Sequence, residues 1–180
     1  MAGNEDIGET MTTNLVLTVI GDDKPGLVES LSQTIADNNG NWLDSSMSQL
    51  AGKFAGILRL SVADDQVENL ISALNDLSAQ LTLVIEKANA NSNAESSQTI
   101  QLTLIGNDRP GIIREISSAL SNLSVNVEQL NTECVPAPMS SDALFKAKAS
   151  LKVPTELALE DLQDKLEQLA DDLIVEIELA

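Results

Sequence analysis

The sequence predicts an α+β fold built from two copies of one βαββαβ unit, each an antiparallel sheet with both helices on one face. Three observations carry this. Residues 17–26, LTVIGDDKPG, return 85 residues later as LTLIGNDRPG at 102–111. Strand-length aliphatic runs and helix-spaced aliphatic stripes follow one another in the same order in both halves. A polar segment without period, 88–97, separates the halves. Because solenoid repeats recur at roughly 20 to 50 residues, a repeat this long is a domain.

The first copy is expected over 13–87, after a disordered tail at 1–12. Leu15, Leu17 and Val19 alternate with Val16, Thr18 and Ile20 in a first strand that stops at Gly21. Pro25 is expected to open a helix whose Leu27, Val28, Leu31 and Ile35 share a face. Asn38-Asn39-Gly40 would end that helix, with the glycine available for positive φ. Two strands, about 42–50 and 54–63, are joined by a tight turn at 51–53. Asp64 and Asp65 start a second helix with Val67, Leu70, Ile71, Leu74 and Leu77 in one stripe, and Leu81, Leu83 and Ile85 close the unit.

The second copy is expected over 98–180. Ile100, Leu102 and Leu104 form its first strand, and Ile112, Ile116, Leu120 and Leu123 line its first helix. Strands near 125–135 and 143–153 follow, joined by a loop lengthened through Pro136–Ser141. Leu159, Leu162, Leu166, Leu169 and Leu173 run down the last helix, and Val175, Ile177 and Leu179 lie on the closing strand.

Composition narrows the chemistry. With one Trp, two Phe and no Tyr, the core must be aliphatic. The chain has no His, so the usual neutral-pH base and the commonest metal ligand are both missing. Nothing supplies a nucleophile–base pair, a phosphate-cradling loop or a metal cluster, which favours a non-enzymatic protein without cofactor. Cys134 is the only cysteine, so no internal disulfide can form, and it reads as a small, half-buried strand residue. The net charge of −18, with no basic run, opposes direct nucleic-acid contact. An RNA-binding module of this order would also show aromatics on its central strands. With no signal-like or membrane-spanning run in view, a cytoplasmic protein is expected.

The βαββαβ order is the ferredoxin-like arrangement. The turns Asp23-Lys24-Pro25-Gly26-Leu27 and Asp108-Arg109-Pro110-Gly111-Ile112, each between a strand and a helix, resemble those of the ACT domain. That module senses amino acids in metabolic regulation. Residues 40–45 with Gly52, Lys53 and Phe54 are similar to the second strand and hairpin of a narrower group, the glycine cleavage system transcriptional repressor family. The second copy departs more, with Val125 in place of Gly40 and Glu128 opposite Leu43.

At each turn the first helical amides lack carbonyl partners and the helix dipole is positive. The missing Cβ of Gly26 and Gly111 would let a carboxylate reach the amides of Gly26, Leu27, Gly111 and Ile112, and Lys24 and Arg109 could add charge. The resemblance implies a site between paired units, formed by this turn on one and the start of the second strand on the other. Asn41 and Asn126 hold that position, and each offers an acceptor and a donor. A second reading of the same residues is equally open: Asp23 and Asp108 cap the helix, proline presets its first turn, and the asparagines are ordinary turn residues.

The resemblance implies a regulator that senses a small amino acid, by analogy glycine, and represses glycine-cleavage gene expression through a protein partner, a DNA-bound activator. A homodimer is compatible with it. The competing readings are a regulatory subunit of an amino-acid biosynthetic enzyme and a small hydrolase of acylphosphatase type using Asn107 and Arg109.

Overall fold

A computed structural model describes residues 11–88, 96–138 and 142–180. The chain divides into two compact units. The first contains β1 (Thr12–Asp22), α1 (Leu27–Asp37), β2 (Asn41–Leu50), β3 (Lys53–Ala63), α2 (Val67–Asn75) and β4 (Leu81–Lys87). The second contains β5 (Ser97–Asn107), α3 (Ile112–Asn122), β6 (Asn126–Pro136), β7 (Ala143–Pro154), α4 (Leu159–Glu167) and β8 (Ile174–Leu179). The tail at 1–10, most of the 88–97 linker and the tip of the 136–141 loop lie outside the described residues. β1 and β5 open at Thr12 and Ser97, the last residues of the segments read as tail and linker.

Each unit forms a four-stranded sheet, ordered β2-β3-β1-β4 and β6-β7-β5-β8, with antiparallel neighbours throughout. Both are the ferredoxin-like arrangement expected. Strand alternation sends Leu15, Leu17 and Val19 of β1 inward, where they meet Leu27, Leu31 and Ile35 of α1 and Leu70 and Leu74 of α2. The second unit repeats this with Ile100, Leu102 and Leu104 against Ile112, Ile116, Leu120, Leu162 and Leu166. Both cores are aliphatic apart from Phe145, as the composition requires.

Several local expectations are corrected. Pro25 does not open α1: Gly26 is its N-cap, and the proline stands one residue earlier, in the turn. The residue with positive φ at the end of α1 is Asn39, not Gly40. The Gly40 amide instead donates to the Ile35 carbonyl at 2.8 Å, and a Cβ on Gly40 would lie 2.8 Å from the Ile35 side chain. Gly40 is therefore small for packing, while Asn39 tolerates the left-handed conformation. Leu123 caps α3 rather than lying within it, and α4 ends at Glu167, so Leu169 and Leu173 pack from the segment beyond. Cys134 is exposed on β6, not half-buried.

Candidate functional site

Both Pro-Gly turns have one geometry. Gly26 has φ 90° and ψ 0°, Gly111 has φ 90° and ψ −2°, and neither helix receives a side-chain cap. Asp23 and Asp108 therefore do not cap the helices, because glycine occupies the N-cap. The first bonds of the helices run from the Ser30 amide to the Gly26 carbonyl, 2.9 Å, and from the Glu115 amide to the Gly111 carbonyl, 3.1 Å. The amides before them lack a carbonyl one turn back. A Cβ at either glycine would meet nothing within 4 Å, so the space over the turn is open. The positive φ is reason enough for glycine here, with or without a ligand.

The turns are held from the neighbouring hairpins. Asp23 donates its amide to the Gly52 carbonyl at 3.0 Å, and Asp108 does the same to the Ala143 carbonyl at 2.8 Å. Lys53 forms an ion pair with Asp22, and its ammonium holds that carboxyl below its ordinary value. In the second unit the Asn107 amide donates to Asp172 Oδ2 at 2.7 Å.

Of the proposed ligand residues, Asp23, Lys24, Gly26, Asp108 and Gly111 are exposed along the turns. Leu27 and Ile112 bury their side chains in the cores and leave only backbone to the turn. The two turns differ in their cation. Lys24 makes no hydrogen bond or ion pair among the described residues. Arg109 is spent on Glu115, with Nη1–Oε1 at 2.9 Å and Nη2–Oε2 at 2.5 Å. The Ile112 amide also leans on the Arg109 carbonyl at 3.3 Å. The repeat foreshadowed this, because Glu115 stands where the first copy has Ser30.

The Arg109 guanidinium keeps the Glu115 carboxyl below its ordinary value. A carboxyl depressed in the folded state stabilises fully above its unfolded value and loses that contribution as pH falls through the folded one. Glu115→Gln should therefore lower Tm in the neutral region and converge with the wild type in acid, which flattens the acid limb of a Tm-against-pH curve. An unaltered acid limb would mean the pair contributes nothing.

Asn41 and Asn126 are exposed at the first positions of β2 and β6, both edge strands. The structure does not bring either to its own unit's turn. Asn41 pairs with Ser61, itself opposite Asn14 near the start of β1, whereas the turn follows Asp22 at the other end. Eight residues of strand separate these ends, roughly 27 Å at 3.4 Å per residue. A feature not legible in the pattern lies beside each asparagine. Register shifts between Trp42 and Asp44 and between Val127 and Gln129 leave Leu43 and Glu128 as bulge residues at equivalent positions. Bulges re-aim a strand and blunt a free edge. Trp42 is half-buried against the first core.

Cys134 was also missed as a neighbour of the second turn. Partial desolvation and the Asp108 carboxylate push its thiol up, so little thiolate forms at neutral pH. No group of three or more residues suited to a metal occurs among the described residues. No helix among them is long and apolar enough to cross a membrane.

Comparison with known proteins agrees with this architecture. ACT domain models match residues 13–87 and 94–175. The glycine cleavage system transcriptional repressor of Escherichia coli is 21% identical over 161 residues, covering 88% of this chain and 85% of the relative. A UPF0237 protein of Methanopyrus kandleri is 38% identical over 71 residues, 38% of this chain and 79% of its own. Among solved structures, a protein of unknown function from Galdieria sulphuraria superposes with a TM-score of 0.83 at 24% identity, over 94% of this chain and 99% of its own. One provisionally assigned as a glycine cleavage system transcriptional repressor gives 0.69 at 15%, with the same coverages. The repeated turn, the two ferredoxin-like sheets and two domain matches that together span most of the chain make it a tandem ACT-domain protein, of regulatory type and similar to the glycine cleavage repressor.

Proposed function

We propose that this protein is a non-catalytic regulator that senses a small amino acid at the Pro-Gly turn of its first unit. The observation that carries the reading is an uncapped helix start under open space, with Lys24 uncommitted beside it. A ligand carboxylate would take the amides of Gly26 and Leu27, with Lys24 adding charge. In the second unit Glu115 already neutralises Arg109, so Asp108, Arg109, Gly111 and Ile112 form a weaker copy.

An asparagine completes the site from a neighbouring unit. Because Asn41 and the turn lie at opposite ends of one sheet, only a unit running antiparallel alongside presents a strand-two asparagine to this turn. The strand-two asparagine of a second copy, Asn41 or Asn126, meets that requirement, and its side chain would accept from the α-amino group.

Similarity to the glycine cleavage repressor makes glycine the first ligand to try and a DNA-bound activator the partner. The net charge of −18 supports action through protein rather than DNA. The hydrolase reading loses its arginine, since Arg109 is committed to Glu115. The enzyme-subunit reading shares the sensing chemistry and differs in the protein that a pull-down would recover.

A ligand at a hundredfold excess over its Kd stabilises the folded state by about 2.7 kcal/mol. For a chain of this size that raises Tm by roughly 5 to 10 °C, and by more if the first unit melts alone. Glycine, serine and alanine at millimolar concentration are the first probes, read by thermal shift and calorimetry. Asn41→Ala and Asn126→Ala should each leave the unliganded Tm unchanged, and the one that erases the shift identifies the completing unit. If no small amino acid moves Tm or gives heat, the sensing role is wrong.

A further inference from the structure

We infer that the helix-free face of the β2-β3-β1-β4 sheet is a self-association surface, covered by the same face of a second copy of this chain. On this face Ile57 is 55% exposed, Val84 53% and Ile20 44%, with Val16 beside them. Strand register places Ile57 and Val84 on either side of Thr18, so these residues form one patch. Contiguous exposed apolar residues on a sheet mark a contact surface.

The second unit shows what the same fold carries when this face meets water. Gln101, Lys148 and Glu176 there occupy the register positions of Val16, Ile57 and Val84. The apolar patch is therefore not required by the fold.

The occupant follows from the arrangement of the face. Its middle row is Ser46, Ile57, Thr18 and Val84. On one side lies a charged row, Asp44, Arg59, Val16 and Glu86; on the other a small and hydroxyl row, Ser48, Ala55, Ile20 and Thr82. A two-fold axis lying across the strands, along the middle row, sets Ile57 on Ile57 and Val84 on Val84. It also sets Val16 on Ile20, Arg59 on the small Ala55, and Asp44 and Glu86 on the hydroxyls of Ser48 and Thr82. Such a face is complementary to itself, as an isologous interface must be. Facing sheets pack in this way about 10 Å apart.

Charge is consistent with the same occupant. From a chain carrying 28 acidic residues, this face presents Asp22, Asp44 and Glu86, and two of these are paired: Asp22 with Lys53, and Asp44, which accepts from Arg59 Nε at 2.7 Å. The remaining repulsion between copies is long-range and screened by salt.

Analytical ultracentrifugation of the full chain tests the inference. The wild type should sediment at twice the 19.1 kDa chain mass, with association strengthening as salt rises. Ile57→Lys and Val84→Glu, which install the residue types of the second unit, should each sediment as monomer with an unchanged far-UV spectrum. Ile57→Cys in a Cys134→Ser background should be joined to its twin by a short bis-maleimide. A wild type that is monomeric at high micromolar concentration overturns the inference. So does an Ile57→Lys variant that remains dimeric. Should either charged variant lose its spectrum, the cross-link decides, and its absence is equally fatal.

Discussion

Leu70→Ala should lower the melting temperature of the first unit by about 8 °C or more. Leu70 is fully buried on α2, in the aliphatic cluster that joins both helices to the sheet. Removing its isopropyl group loses transfer free energy and leaves a cavity, together about 2 to 5 kcal/mol. For a unit of 60 to 100 residues each kcal/mol is worth about 4 to 8 °C. The cavity should collapse poorly, because Gly40 already sits against the same leucine, with 3.2 Å between a would-be Cβ and Leu70 Cδ2. Calorimetry should show two transitions in the variant, with that of the second unit unmoved, because the two cores share no residue. A single transition falling as a whole would instead mean that the units melt together.

Gly56→Ala should cost about as much for the opposite reason. A Cβ at Gly56 would lie 2.4 Å from the Ser46 carbonyl oxygen and 2.8 Å from Met47 Cα, so β2 and β3 would have to part. Overpacking typically costs about 1 to 3 kcal/mol, and contact with backbone places this case at the upper end. The second unit carries the reciprocal solution. Ala147 occupies the position of Gly56, opposite Leu104, and faces Thr132 across the edge strand where the first unit has Met47. Met47→Thr should therefore return part of the stability lost by Gly56→Ala, measured as a coupling energy in a double-mutant cycle. An additive pair would place the clash elsewhere.

Much of this was legible in the chain. Alternation in Leu15, Leu17 and Val19 and the 3-4 spacing of Leu27, Leu31 and Ile35 located β1 and α1 to within a few residues, because burial on one face imposes that period directly, whereas the stripe read down to Leu173 overran α4, which ends at Glu167. What failed was set by neighbours. Pro25 read as a helix opener, yet Gly26 takes the cap in a left-handed conformation. Gly40 read as the flexible residue, yet Ile35 and Leu70 crowd it and Asn39 makes the turn. Cys134 read as half-buried, yet β6 is a bulged edge strand with little cover.

By itself the sequence determined the duplication, the element order, the aliphatic cores and the two turns that mark the family, since each of these depends on a residue's own conformational preference or on a period along the chain. Only the tertiary structure decided that Arg109 is consumed by Glu115 while Lys24 is not, that Asn41 stands a sheet's length from its own turn, and that one sheet face is apolar where its twin is charged. Those relations join residues on different elements. Strand order and register set them, and neither is written in any local stretch of the chain.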